Sequence, residues 1–195
     1  NNFTIYDESD SRSLLKAIIK EKGFDDKTYK PAAVHAKISM AKNNLVTPEI
    51  YRADKDYYDR DKHANMPGVG EIYEVYVQRC KQANAMDFDD LLMLTFQLFR
   101  DHEEIRQKYS DRFDFILVDE YQDTNHVQMK IVMQLCKEKN RVCAVGDDSQ
   151  SIYSFRGANI DNILRFQSQL KGAKLFKLEQ NYRSTQNIVN AANSL

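Results

Sequence analysis

Phe115-Ile116-Leu117-Val118-Asp119-Glu120 is the stretch that decides the fold. Four apolar, β-favouring residues form a strand of the length found inside parallel sheets, and two acids stand where it ends. Carboxylates at the C-terminal end of such a strand occupy the ligand-binding edge of an α/β sheet. There one acid can hold Mg²⁺, directly or through water, while its neighbour orients and deprotonates an attacking water. An Asp-Glu pair after a strand also serves as a helix cap or a solvated turn. Taken alone, the pair leaves both readings open.

Working outward, short apolar strands alternate with helices, as a parallel sheet requires. Val142-Cys143-Ala144-Val145 reads as a second strand and Leu175-Phe176-Lys177-Leu178 as a third. Between them lie a helix carrying Val127, Ile131, Val132 and Leu135 and another carrying Ile160, Ile163, Leu164 and Phe166, with a last helix after Ser184-Thr185. Upstream the pattern is helical. Leu14, Leu15, Ile18 and Ile19 share one helix face with Gly23 placed to end it, and a second helix carries Val34, Ile38 and Ala41. Thr47-Pro48 is a start signal, because the hydroxyl caps free amides and proline tolerates a first-turn position. Met66 to Gly70 breaks the chain before a helix bearing Ile72, Val75, Tyr76 and Cys80, and no strand-like run appears before Asp87. The expected organisation is an all-helical module over residues 1–86 followed by part of an α/β domain over 87–195.

With 195 residues, 42% of them hydrophobic, the chain can bury a real core. Lys and Arg total 28 against 29 for Asp and Glu, so no global positive field announces a nucleic acid, and such a partner must be read locally. Between Lys16 and Lys42 seven basic residues face three acidic ones, a local excess that reads equally as a phosphate-binding patch or a solvated helix face. Cys80, Cys136 and Cys143 have no paired metal-ligand spacing and read as buried thiols of a reducing cytoplasm. No apolar run approaches membrane-spanning length, so no membrane partner is expected, and Asn1 to Asp10 has no signal-peptide character. The chain starts at Asn1 rather than Met, as an internal piece of a longer protein would.

Three longer stretches change the weight of the acidic pair. Asp119-Glu-Tyr-Gln-Asp-Thr-Asn125, Val145-Gly-Asp-Asp-Ser-Gln-Ser-Ile-Tyr-Ser-Phe-Arg-Gly-Ala158 and Leu178-Glu-Gln-Asn-Tyr-Arg-Ser-Thr185 resemble, in order and spacing, three motifs of superfamily 1 DNA helicases of the UvrD/PcrA/Rep type. Asp87-Phe-Asp-Asp-Leu-Leu92 resembles a fourth, and the first part of the chain is similar to the family's helical 1B subdomain. The likeness covers essentially the whole chain. It implies an α/β fold class, with the helical 1B-like subdomain followed by part of a RecA-like P-loop NTPase domain.

The resemblance also implies roles. Asp119 would support Mg²⁺, Glu120 would be the catalytic base, and Gln150 would sense the γ-phosphate of ATP with an amide that both donates and accepts. Tyr182 would stack on adenine. Arg183 would bind the γ-phosphate, where a permanently charged fork of donors suits transferring phosphoryl oxygens. Tyr153 and Phe155, followed by Arg156, would lie against the bases of single-stranded DNA, a contact indifferent to sequence because every base has a π-face. Many members carry Trp where this chain has Phe155. A turn residue at Gln150, core packing at Tyr153 and Phe155, and a surface ion pair at Arg183 are the plain alternatives.

None of the six glycines is followed by lysine, so the glycine-rich Gly-Lys-Ser/Thr loop that surrounds nucleotide phosphates is not in this chain. The expectation is a fragment of a 3′-to-5′ DNA helicase coupling ATP hydrolysis to unwinding in repair or replication, inactive by itself. Its partners would be single-stranded DNA, duplex/single-strand junctions, and repair or replication proteins. The helicase part of a RecB- or AddA-like nuclease and a non-hydrolysing DNA-binding relative are the alternatives. A metal-dependent phosphodiesterase built on Asp119, Glu120 and Asp123 would lack a His or a second acid cluster.

Overall fold

Asp7 opens the first helix by accepting the Asp10 amide at 2.8 Å, while the Asp10 carboxylate accepts the Asp7 amide at 3.2 Å. This reciprocal cap satisfies two of the amides that a helix start leaves free. Helix α1 (Glu8–Glu21) runs to Gly23, whose φ of +72° is a left-handed conformation that glycine adopts without steric cost. The computed structural model of the chain describes residues 2–136, 142–151, 161–170, 172–192 and 194.

Proline at the first turn starts both α2 (Pro31–Asn43) and α3 (Pro48–Ala53), and Thr47 caps the latter by accepting the Ile50 amide. Helix α4 (Lys55–His63) follows, and α5 (Val69–Gln82) begins inside the predicted chain break. Leu15, Ile18 and Ile19 from α1, Val34, Ile38 and Ala41 from α2, and Val69, Ile72, Tyr73, Tyr76 and Cys80 from α5 bury into one core. Full burial of each large aliphatic side chain contributes about 1.5–3 kcal/mol.

The reading of no strand before Asp87 is overturned. Strand β1 (Thr4–Tyr6) pairs in parallel with β2 (Ala85–Asp87), in the register Thr4 to Ala85 and Tyr6 to Asp87. Each has only three residues, too few for an alternating pattern to register, and their pairing is set by segments far apart in sequence brought together beside the helical core.

The basic excess between Lys16 and Lys42 is partly spent inside the fold. Lys42 is 1% exposed, with Nζ 2.6 Å from Asp87 Oδ2 and 2.7 Å from Asp90 Oδ1. Lys37 pairs with Asp61 and Lys22 with Glu71, each at 2.8 Å. The carboxylates that engage these three lysines all come from later in the chain.

Asp87 also caps α6 (Phe88–Asp101) through a second reciprocal box with Asp90. Helix α7 (Glu103–Ser110), strand β3 (Ile116–Val118), a 3-10 turn (Tyr121–Asp123), α8 (His126–Cys136) and β4 (Val142–Ala144) follow. Strand β3 runs parallel to β4, with Ile116 opposite Val142 and Val118 opposite Ala144. One sheet face, with Ile116 and Val118, is half-buried, and the other, with Leu117 and Cys143, is exposed. Cys143 is therefore not the buried thiol expected of it, because the sheet's alternation turns it outward. Cys80 and Cys136 are buried, and burial pushes the Cys80 thiol up to about 11.

After a 3-10 turn (Asp148–Gln150) come α9 (Asp161–Gln169) and α10 (Gln186–Ala192). By contacts the chain divides into two compact units, Asn1–Ile163 and Leu164–Leu195. The third predicted strand does not form. Leu175, Phe176 and Leu178 lie outside any strand at 68%, 82% and 93% exposure, since no described backbone pairs with them. Among the described residues the fold is helix-rich with two short parallel sheets. Among the described residues no helix is long and apolar enough to cross a membrane.

Candidate active site

Parallel pairing makes β3 and β4 end at the same edge, so the segments that leave them start side by side. Val145 continues the pairing, its amide donating to the Val118 carbonyl at 2.8 Å, and its carbonyl accepts the Tyr121 amide at 2.9 Å. Asp119 and Glu120 leave β3 within this frame, and both are exposed.

Glu120 has φ +48°, ψ +43°, a left-handed conformation unfavourable for a side chain with a Cβ. Its amide donates to Asp119 Oδ1 at 2.9 Å, a local bond that helps hold the bend. The turn then sends Tyr121 and Gln122 inward. Non-glycine residues held in this region concentrate at functional sites.

Gln122 is 1% exposed and uses both ends of its amide. Nε2 donates to Glu120 Oε2 at 2.7 Å, and Oε1 accepts the backbone amide of Asp147 at 3.0 Å. Gly146 makes the second contact fit, because a Cβ there would meet Gln122 Oε1 at 2.5 Å and Ile163 Cδ1 at 2.8 Å. The Asp147 carboxylate in turn accepts Gln150 Nε2 at 2.8 Å and the Ser149 amide at 3.0 Å, and these bonds hold it below the usual carboxylate range. Asp119, Glu120 and Gln150 are thus brought to one sheet edge, with Glu120 and Gln150 joined through Gln122 and Asp147.

Asn125 anchors the acidic segment from behind. It caps α8 by exchanging bonds with Gln128, accepting its amide at 2.9 Å and donating its own to Gln128 Oε1 at 3.0 Å. Asn125 Nδ2 donates to Asn43 Oδ1 of α2 at 2.6 Å, and Asn43 Nδ2 donates to Asp89 at 2.8 Å. Asn162 Nδ2 closes the arrangement on the Thr124 carbonyl at 2.9 Å.

Tyr182 and Arg183 belong to the second unit. Tyr182 is 86% exposed, its hydroxyl 3.0 Å from Gln180 Oε1, and Asn181 Oδ1 accepts the Arg183 and Ser184 amides at 2.9 and 3.0 Å. Both Tyr182 and Arg183, next to this side-chain turn, are exposed. Tyr153, Phe155 and Arg156 lie outside the described residues.

Asp119 fits a magnesium ion shared with phosphates, which takes one or two protein carboxylates and fills its remaining positions with water and substrate oxygens. A cage made of protein alone is a different arrangement, and among the described residues no group of three or more His, Cys, Asp or Glu could hold a metal. Gln122, Gly146 and Asp147 were not singled out from sequence. Gln122 carries no sequence signal beyond its place two residues after Glu120, which any polar turn residue could occupy.

The UvrD/REP helicase N-terminal domain family matches residues 1–171. The chain is 42% identical to the ATP-dependent DNA helicase PcrA of Leuconostoc citreum over 194 residues and to that of Bacillus subtilis (strain 168) over 195. It is 43% identical to the PcrA of Staphylococcus epidermidis over 194 residues. Each alignment covers 100% of this chain and 25% or 26% of the relative, so the chain spans about a quarter of the length of the curated relatives it matches.

Proposed function

The chain belongs to the UvrD/REP helicase N-terminal domain family, and we propose that it is part of a 3′-to-5′ DNA helicase that couples ATP hydrolysis to movement along single-stranded DNA. The observation that carries this reading is the shared edge of β3 and β4, where Glu120 and Gln150 are linked by the hydrogen bonds through Gln122 and Asp147. A base and a phosphate sensor on one rigid edge suit phosphoryl transfer, which relies on positioning and on charge placed in advance.

In this reading Asp119 holds Mg²⁺, which when bound draws charge from the transferring phosphoryl group. Glu120 takes the proton of the attacking water at its carboxylate. Gln150, released from Asp147, donates its amide to the γ-phosphate. Tyr182 stacks on adenine and Arg183 stabilises the transferring phosphate, while Tyr153, Phe155 and Arg156 contact single-stranded DNA. Residues 1–86 form the 1B-like subdomain and residues 87–195 the C-terminal part of the first RecA-like motor domain. Duplex/single-strand junctions, repair or replication proteins and a cytoplasmic setting follow from the same reading.

The test is duplex unwinding by the intact protein that carries this chain, with ATP and Mg²⁺, on DNA with a 3′ single-stranded tail and, as a control, a 5′ tail. Unwinding of the 3′-tailed duplex alone, with ATP hydrolysis stimulated by single strands, is expected. No stimulation by DNA, or unwinding of the 5′-tailed duplex alone, overturns the proposal. The 195-residue chain by itself is expected to hydrolyse no ATP, because it holds no Gly-Lys-Ser/Thr loop.

A further inference from the structure

The geometry points to Gln122 as the positioning residue of the hydrolytic site, fixing the Glu120 carboxylate and tying its direction to the Gly146–Gln150 turn. The inference rests on the reading of Glu120 as the base.

Chemistry dictates which way the buried amide faces. The Asp147 backbone amide can only donate, so it must meet Gln122 Oε1 at 3.0 Å. Nε2 is then turned to Glu120 Oε2 at 2.7 Å, and an ionised carboxylate can only accept. No other uncharged side chain of this length offers a donor and an acceptor at its tip. Glu120 is exposed, and an exposed glutamate samples several rotamers, so a bond from a buried, immobile donor selects one of them. Gly146 keeps the approach open, since a Cβ there would sit 2.5 Å from Gln122 Oε1.

The same contacts give the base a route to the sensor. Gln150 to Asp147, Asp147 to Gln122 and Gln122 to Glu120 are three consecutive hydrogen-bonded steps. When Gln150 leaves Asp147 for a phosphate oxygen, the turn that donates to Gln122 is freed to shift, and Glu120 is redirected with it.

Two variants of the intact protein test the role. Gln122→Met keeps the volume and loses both hydrogen bonds, and Gln122→Glu keeps an acceptor toward Asp147 but sets a carboxylate against Glu120. ATP turnover with saturating single-stranded DNA is measured with KM for ATP and the melting temperature. Gln122→Met should lower kcat by about ten- to a hundredfold, the scale of a misplaced catalytic group, with KM close to the parental value. Gln122→Glu should lower kcat on the same scale with KM again close to parental, because a carboxylate has no donor to offer Glu120 and repels it. Since Gln122→Glu is isosteric, it carries the test if Gln122→Met fails to fold. Parental kcat in both variants overturns the proposal. So does a loss of kcat that only follows a lowered melting temperature, or one matched by an equal change in KM. Glu120→Gln in the same series separates two failures: if it is inactive while both Gln122 variants are parental, only the role of Gln122 is rejected, and if it is active, the base assignment falls and this inference with it.

Discussion

Lys42 of α2 places its ammonium 2.6 Å from the Asp87 carboxylate at the end of β2, with both side chains buried. Asp90 takes the other side at 2.7 Å, the Tyr76 hydroxyl donates to Asp87 at 2.9 Å, and the ammonium lies 5.0 Å from the Tyr76 ring centroid. Burial pulls the Lys42 ammonium down, but Asp87 and Asp90 more than reverse this and hold it above its ordinary value. Lys42→Met would leave two carboxylates buried without a cation, and removing one partner of a buried ion pair costs about 3–5 kcal/mol. A loss of that order in the urea unfolding of this chain is expected, and a change under about 1 kcal/mol would assign the cluster to a wetter environment than the structure gives.

The two carboxylates should respond oppositely to acid. Burial opposes ionisation of Asp87, yet Lys42 and the Asp90 amide hold it below the usual range, so its stabilising contribution is present at neutral pH and lost as pH falls through its lowered pKa. Asp90 is raised, by burial first and by the Asp87 charge, so its ionised form costs stability that is relieved as pH falls through its raised pKa. Asp87→Asn should therefore destabilise the chain near neutral pH and flatten its loss of stability in acid. Asp90→Asn should be neutral or stabilising near neutral pH and remove the gain seen on mild acidification. Unfolding midpoints of the two variants against pH measure both, and equal effects at neutral pH would reject the asymmetry.

Gly146→Ala should reproduce a weakened base. The added methyl meets the tip of Gln122 and Ile163 Cδ1 rather than backbone alone, so the Gln122 amide is what yields. Turnover in the intact protein is expected to fall by roughly tenfold or more, as displacement of a catalytic group by a fraction of an ångström does, with a loss of stability typical of overpacking, about 1–3 kcal/mol. Parental turnover would show that the contact between Gly146 and Gln122 has slack.

Local pattern made much of the architecture legible. Gly23 as the end of α1, Thr47-Pro48 as the start of α3, the apolar runs of β3 and β4 and the acids after β3 were all readable. What stayed hidden depends on residues distant in sequence. A lysine in α2 reads as a surface charge, and only the return of Asp87 and Asp90 from the far end of the helical core shows that Lys42 is buried. Thr4 to Tyr6 becomes a strand because Ala85 to Asp87 lies beside it, and Leu175 to Leu178 reads as a strand but finds no described partner. Gln122 follows the acids like any polar turn residue, and its importance appears only when the turn after β4 arrives to use its carbonyl. The roles given to Tyr182 and Arg183 rest on family resemblance, since the contacts described for them lie within their own turn.

Glu120→Gln in the intact protein bears most directly on the account, because it keeps the length of the side chain while removing the base. Steady-state ATP hydrolysis with saturating single-stranded DNA, measured beside equilibrium binding of ATP and of DNA, should show turnover reduced on the order of 10²- to 10⁴-fold with both affinities close to parental. Turnover above about a tenth of the parental rate would contradict the assignment of Glu120 as the group that activates water.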